Sequence, residues 1–115
     1  MTKSLAELLV DLALEKEKYF QNYLSYAKKI KKEVRKFFKS AKVLIFGSIL
    51  KKNEAARDID LLVVTPEKID LKTKRKILTK ICQRIGFFHP FEFHFVTKKE
   101  FQNWYRCFIK RFKVI

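Results

Sequence analysis

The fold of this chain is decided by residues 57–64, which read RDIDLLVV. Side chains alternate between the two faces of a strand, so alternate apolar residues would point into a core while Asp58 and Asp60 share the opposite face. Neighbouring carboxylates repel each other and do not stabilise a strand by themselves. A divalent cation between them reverses this, and Mg²⁺ prefers such hard oxygen ligands. The stretch predicts a strand over 58–64 that carries either a metal site or two incidental acids at a solvated strand end.

Upstream, residues 43–46 read VLIF and predict a short buried strand, which Gly47 and Ser48 end. Glycine allows backbone N–H groups to approach a phosphate closely, and the Ser48 hydroxyl can donate a further hydrogen bond. A Gly-Ser turn after a strand is also common without any ligand. The dipeptide is therefore weak evidence for a phosphate site when taken alone.

Downstream, a third strand is predicted over 91–96, where phenylalanines alternate with other residues. Glu92 and His94 share one face of this strand. If that face adjoins the face of Asp58 and Asp60, three carboxylates converge; otherwise Glu92 is an exposed edge residue. His94 either contacts Glu92 or a substrate, or is a solvated or structural histidine.

Helices are predicted around these strands. Residues 4–38 place apolar side chains at three- and four-residue steps, and Ser4 with Glu7 forms a capping box at the start. The charged run 15–18 is a candidate bend. Asp70 caps a helix over 72–85, which Gly86 ends, and Thr97 with Glu100 opens a last helix.

The predicted order is helix, strand, strand, helix, strand, helix, which is an α/β (α+β) domain with a short mixed sheet packed by helices. At 115 residues the chain fits a single domain over 1–115. It comprises an N-terminal helical segment (1–40), a core (41–97) and a C-terminal helix (98–115). A helix as long as the first cannot bury its whole apolar stripe on so small a domain, so we expect part of it to pack against another chain.

The charge balance is strongly basic, with 27 Lys and Arg against 12 Asp and Glu and a net charge of +15. Such a field attracts polyanions, although solvated helix faces would give the same composition. No nucleic-acid recognition motif is visible, and the aromatics follow core periodicity. Cys82 and Cys107 lack CxxC spacing, and the apolar run 8–10 is broken at Asp11. We therefore expect a cytoplasmic protein with reduced thiols and no membrane span.

Taken together, these residues resemble a known signature. Phe46-Gly47-Ser48, followed ten residues later by Asp58-Ile59-Asp60-Leu61 and then by Glu92 on its own strand, is similar to the pattern of the DNA polymerase β-type nucleotidyltransferase superfamily. Its small stand-alone members, the minimal nucleotidyltransferases, match best. The resemblance covers about residues 43–96.

The resemblance implies the polymerase β-like fold and a nucleotidyl transfer that uses two Mg²⁺ ions and ATP or another nucleoside triphosphate. Asp58, Asp60 and Glu92 would be the metal ligands and catalytic residues, and Glu92 could instead be the base for the incoming hydroxyl. Gly47 and Ser48 would bind the triphosphate. Small members often carry Arg and a second Gly shortly after Gly-Ser; here the candidates for phosphate charge are lysines, namely Lys51 and Lys52.

The resemblance also implies partners. Small members often pair with a helical HEPN-type toxin, some by adenylylating it, and the long N-terminal helix favours such a complex or a homodimer. A catalytically weak antitoxin on the same fold and a basic nucleic-acid-binding module are the alternatives. The acceptor, which could be a protein hydroxyl, an RNA end or a small molecule, is not encoded in the nucleotide motif. Base preference and oligomeric state are likewise not readable.

Overall fold

A computed structural model of the chain describes residues 2–51, 56–105 and 111–115, apart from the side chains of residues 104 and 105. The helices in these ranges are α1 (Leu5–Gln21), α2 (Tyr23–Phe37), α3 (Leu71–Ile85) and α4 (Lys98–Glu100). The strands are β1 (Lys42–Phe46), β2 (Ile59–Thr65), β3 (Phe91–Thr97) and β4 (Phe112–Val114). A 3-10 turn over Ser48–Leu50 follows β1, and a π-helical turn over Phe101–Tyr105 follows α4.

The four strands form one mixed sheet in the order β3-β2-β1-β4. β1 is antiparallel to both β2 and β4, whereas β2 and β3 are parallel and are joined through α3. A parallel pair needs such a crossover, because a tight turn can join only antiparallel strands. The predicted α+β class with a short mixed sheet is confirmed.

The core lies between one face of the sheet and the helices α2 and α3. Both helices bury an apolar stripe at three- and four-residue spacing, and the central strands contribute alternate residues to the same core. The fully buried members are Ala27, Ile30, Val34, Ala41, Val43, Ile45, Ile59, Leu61, Val63, Ile77 and Ile81. The opposite face holds a smaller buried cluster of Leu44, Leu62, Val64 and Val96, against which Phe46 and Phe101 pack.

The predicted N-caps are present, although the capping box predicted for Ser4 and Glu7 is only half formed. The Ser4 side chain accepts a hydrogen bond from the Glu7 N–H, whereas the Glu7 carboxylate makes no return bond to the Ser4 N–H; Asp70 accepts one from the Thr73 N–H. Thr97 and Glu100 form a complete capping box at the start of α4. Because each cap satisfies backbone donors left free at a helix start, it fixes where the helix begins.

The N-terminal helical segment is divided, but not at the charged run 15–18. α1 ends at Gln21 and α2 begins at Tyr23, so the break falls at Asn22. The Asn22 backbone N–H and its side-chain amide both donate to the Lys18 carbonyl. A short amide that competes for backbone partners ends a helix more effectively than a run of charged side chains.

The C-terminal helix predicted over 98–115 does not reach the end of the chain. Phe112–Val114 form β4, which pairs with Leu44–Phe46 of β1 and covers what would otherwise be a free sheet edge. The predicted helical residues Phe108 and Ile109, like Cys107, lie outside the described residues. None of the helices in the described ranges is long and apolar enough to cross a membrane.

Candidate active site

The polar cluster of the sheet is created by the pairing of β2 with β3. In this parallel register Asp60 lies opposite Glu92, so the two carboxylates share one face of the sheet. His94, two residues beyond Glu92, lies on the same face. One potential ligand atom from each of Asp60, Glu92 and His94 lies within 4.8 Å of the other two. The carboxylates of Asp60 and Glu92 therefore meet on one face of the sheet, as anticipated from the two strand patterns.

His94 is held within this cluster from two sides. Its Nε2 lies 3.3 Å from Asp60 Oδ1, and its ring centroid lies 5.3 Å from that of Phe46 on β1. The imidazole is one-third exposed and Asp60 about one-quarter exposed, while Glu92 is exposed. The cluster thus opens to solvent on the Glu92 side and is packed on the Phe46 side.

The backbone beneath the cluster is firmly held. Ile59 and Leu61, the neighbours of Asp60 in sequence, are fully buried on the other face of the sheet. The Ile59 N–H donates to the Pro90 carbonyl at 3.0 Å, which ties the start of β2 to the start of β3. Side chains on such paired strands are positioned more accurately than side chains on a loop.

Gly47 is in direct contact with the cluster. Its φ is +87°, a left-handed conformation that side chains rarely adopt, and a Cβ atom there would collide with the Asp60 carboxylate. Ser48 then begins the 3-10 turn, in which the Leu50 N–H donates to the Gly47 carbonyl at 3.1 Å. The Gly-Ser turn therefore lies beside the acids, so a phosphate held at this turn would lie near a cation held by Asp60.

Asp58 is placed differently from the sequence prediction. β2 begins at Ile59, so Asp58 lies in the bend before the strand, where its side chain is exposed. It is not a member of the Asp60–Glu92–His94 cluster. Lys51 is also exposed, just after the 3-10 turn, and Lys52 lies outside the described residues.

His89 has a structural role at the entrance to β3. Its Nδ1 accepts a hydrogen bond from the Phe91 N–H at 3.1 Å, and its Nε2 lies 3.6 Å from the Cys82 Sγ. Burial lowers the pKa of His89, because the imidazolium loses more hydration than the neutral ring. A neutral His89 with its proton on Nε2 satisfies both contacts and fixes the start of the strand that carries Glu92.

The donor set of the cluster fits a divalent cation. Two carboxylates provide the hard oxygens that Mg²⁺ prefers, and an imidazole is a ligand more typical of transition metals. The sequence left the role of His94 open and did not assign it to the site, whereas the structure places it in the cluster. The available signal was its spacing of two residues from Glu92, which puts both side chains on one face of a strand.

Comparison with known proteins agrees with this geometry. Residues 27–115 match the family described as Nucleotidyltransferase domain. A crystal structure of a candidate nucleotidyltransferase is 30% identical with a TM-score of 0.60, covering 76% of this chain and 95% of that one. A candidate nucleotidyltransferase from Sulfolobus solfataricus shares the fold at 18% identity and a TM-score of 0.58, covering 87% of this chain and 85% of that one. No curated protein is similar enough in sequence to match.

The family match includes β1, the Gly-Ser turn, β2 and β3, and so contains every element that builds the acidic cluster. It leaves out α1, which ends at Gln21. With more than half of its length matched and with two carboxylates brought together beside a Gly-Ser turn, the chain belongs to the nucleotidyltransferase domain family and is a nucleotidyl-transferring enzyme.

Proposed function

We propose that the chain is a Mg²⁺-dependent nucleotidyltransferase that transfers AMP from ATP to a hydroxyl group on a partner protein or an RNA. The observation that carries this proposal is the register of β2 with β3, which sets Asp60 opposite Glu92 in a chain whose net charge is +15. Two acids at one point of a basic protein concentrate negative charge where a cation can bind. The surrounding positive charge then favours the triphosphate.

Asp60 would hold the metal, with Asp58 as a further ligand from the bend before β2, and the Glu92 carboxylate beside Asp60 would act as the base for the acceptor hydroxyl. The family chemistry uses two ions, which when bound would supply positive charge to the triphosphate and to the transition state. His94, already in contact with Asp60, orients that carboxylate. In many metal sites a residue that does not bind the metal itself orients a metal ligand in this way, by a hydrogen bond.

The Gly-Ser turn would bind the triphosphate. The Gly47 backbone can approach a phosphate closely, and the half-buried Ser48 side chain offers a hydroxyl donor beside it. Lys51 would contribute positive charge at the same end of the sheet, and Lys52, which lies outside the described residues, is the second candidate by its place in the sequence. Lysine does so as a flexible point charge, without the two-pronged geometry of arginine.

The transfer itself is an in-line displacement at the α-phosphorus. The acceptor oxygen forms a bond to that phosphorus while the bond to the bridging oxygen breaks, and pyrophosphate leaves with the electron pair. The hydroxyl proton passes to the Glu92 carboxylate, which is the exposed member of the cluster and therefore accessible to an acceptor. Positioning and electrostatics supply most of the rate in such reactions.

The acceptor is proposed from charge and shape. The positive field favours RNA or another polyanion, and the exposed apolar surface of α1 favours a protein such as a helical HEPN-type toxin. The same surface would serve a weakly catalytic antitoxin, which is the second candidate function. Both acceptors belong in one assay because the donor half of the reaction is common to them.

The deciding experiment compares Glu92→Gln with Glu67→Gln. Both replace an exposed glutamate by its neutral isostere, but Glu67 follows β2 at the far end of the sheet. We expect Glu92→Gln to reduce transfer of labelled AMP by about two to four orders of magnitude, with Mg·ATP binding and melting temperature nearly unchanged. Glu67→Gln should behave like the parent chain.

Two outcomes would contradict the proposal. If the parent chain transfers no label to RNA or to a partner protein, the binding-protein alternative is favoured. If Glu92→Gln transfers at the parental rate, the Asp60–Glu92 cluster is not the reaction centre.

A further inference from the structure

Helix α1 exposes an unusual amount of apolar surface. Its single buried residue is Tyr19, whose hydroxyl donates to the Ile85 carbonyl at the end of α3. The residues before Tyr19 continue its face at three- and four-residue spacing into solvent, where Leu5 is 73% and Leu9 57% exposed. The other exposed apolar residues of the helix are Leu8, Val10, Leu12 and Leu14.

An acidic row lies along one edge of this apolar face. Glu7, Asp11 and Glu15 recur every four residues and are all exposed. Residues 4–15 contain these three acids and no lysine or arginine, in a chain whose net charge is +15. Asp11 also forms a surface ion pair with Lys3 at the start of the helix, a contact that is easily exchanged in water. The first three turns of α1 are thus opposite in sign to the rest of the chain.

A groove on α3 has the complementary character. It has a volume of about 820 Å³, and its lining includes the exposed apolar residues Phe37 and Leu71. Lys72, Lys76 and Lys80 line it at four-residue intervals, and Arg75 lies beside them. Within the described ranges none of these four cations forms a salt bridge, although Lys72 and Lys76 attract the nearby Asp70 carboxylate and, after its hydrogen bond from the Thr73 N–H, help to lower its pKa.

The two surfaces match in spacing as well as in charge. Three residues at four-residue intervals extend over about 12 Å of helix, so the acidic row of α1 and the lysine row of α3 have the same length and period. The lysine stems are apolar and can cover the leucines of α1 while their ammonium groups reach the acids. Because both surfaces are exposed in the single chain, α1 does not occupy its own groove.

We propose that two copies of the chain associate reciprocally, with α1 of each copy seated in the α3 groove of the other. The contact is then made twice about a two-fold axis, which doubles the apolar area and the number of ion pairs. A second copy is the occupant that the charges select, since helix and groove are complementary within one sequence. The proposal does not depend on the proposed transfer activity.

The test is a charge exchange between copies. Variant H carries Glu7→Lys and Asp11→Lys on α1, and variant G carries Lys72→Glu and Lys76→Glu in the groove. We expect the parent to sediment as a dimer at micromolar concentrations, and each variant alone to dimerise at least about tenfold more weakly. Mixing H with G should restore the dimer. The basic α1 of H then meets the acidic groove of G, and the unaltered acidic α1 of G meets the unaltered basic groove of H.

A matched control places the same charge change elsewhere. Lys28→Glu with Lys32→Glu reverses two exposed lysines at four-residue spacing on α2, outside the groove, and should leave dimerisation at the parental level. All reversed residues are exposed, so melting temperatures should stay close to that of the parent. Added salt should weaken the parental dimer.

Three results would overturn the proposal. A parent chain that remains monomeric at high concentration leaves α1 and the groove to a different protein. A dimer that persists in both H and G uses another surface. Failure of the H and G mixture to associate, with both variants folded, shows that the two rows do not face each other.

Discussion

The two faces of the sheet show how one set of strands can separate stability from chemistry. The face against α2 and α3 carries Ile59, Leu61 and Val63 on β2, all fully buried, and turns polar only at Thr65, where the strand ends. The opposite face of the same strands begins with Asp60, Glu92 and His94 and becomes apolar only further along. Since adjacent residues point to opposite faces, neighbouring substitutions should have effects of different kinds.

The largest effect is expected at the aspartates. Asp58→Asn combined with Asp60→Asn should abolish measurable Mg·ATP binding and reduce transfer by about three orders of magnitude or more, equivalent to about 4 kcal/mol. The fold should be retained, because both side chains reach solvent. Calorimetry with Mg·ATP measures the binding. If the double variant binds as tightly as the parent, the metal site has been assigned to the wrong face.

The single variants sharpen this result. Asp60 lies within the cluster and Asp58 in the exposed bend before β2, so Asp60→Asn should account for most of the loss. Equal losses from the two single variants would indicate that Asp58 joins the cluster when metal is bound.

The opposite kind of effect is expected one residue away. Leu61→Ala should lower the free energy of unfolding by about 3 kcal/mol, because it removes a fully buried side chain and leaves a cavity. Transfer per folded molecule should stay near the parental value. Urea denaturation measures the first quantity, and Leu71→Ala, at a residue 60% exposed, is the control with little expected loss. A Leu61→Ala chain that is fully folded but inactive would show that the two faces are coupled.

Gly47 should link the two kinds of effect. Gly47→Ala introduces a Cβ at a φ of +87° and against the Asp60 carboxylate, so we expect a stability loss of about 1–3 kcal/mol together with reduced transfer. Gly86→Ala is the control, since Gly86 also has a positive φ, +112°, but its Cβ would meet Tyr19. That variant should lose stability and keep the transfer activity of its folded fraction. Equal activity losses in both variants would show that Gly47 has no specific role at the active site.

The smallest effect is expected from pH. Burial lowers the pKa of His89 below its ordinary value of 6.5, so the unfolded chain binds a proton more readily than the folded chain does. Stability from this residue is therefore fully present above pH 6.5 and decreases as pH falls below 6.5. His89→Asn, which keeps an acceptor near the Phe91 N–H, should flatten the pH dependence of urea unfolding over this range. An unchanged slope would mean that His89 is not the group responsible.

Much of the fold could be predicted from local sequence. Ser4, Asp70, Thr97 and Gly86 mark helix ends because caps depend on hydrogen bonds within a few residues. A break in the N-terminal helical segment was predicted, but at the charged run 15–18 rather than at Asn22, and β4 was not predicted. Asn22 ends α1 through contacts with Lys18 that charge patterning does not reveal, and Phe112–Val114 become a strand only because β1 has an edge to pair with.

The sequence by itself determined which residues alternate along each strand, where the helices begin, and the Gly-Ser and Asp-x-Asp pattern that indicates nucleotidyl transfer. Only the tertiary structure decided that β3 lies parallel to β2 with Asp60 opposite Glu92, that His94 joins them and that Asp58 stays outside. The physical reason is the distance along the sequence over which each interaction acts. Alternation and capping depend on neighbours in sequence, whereas strand register depends on how residues more than thirty positions apart pack across a shared core.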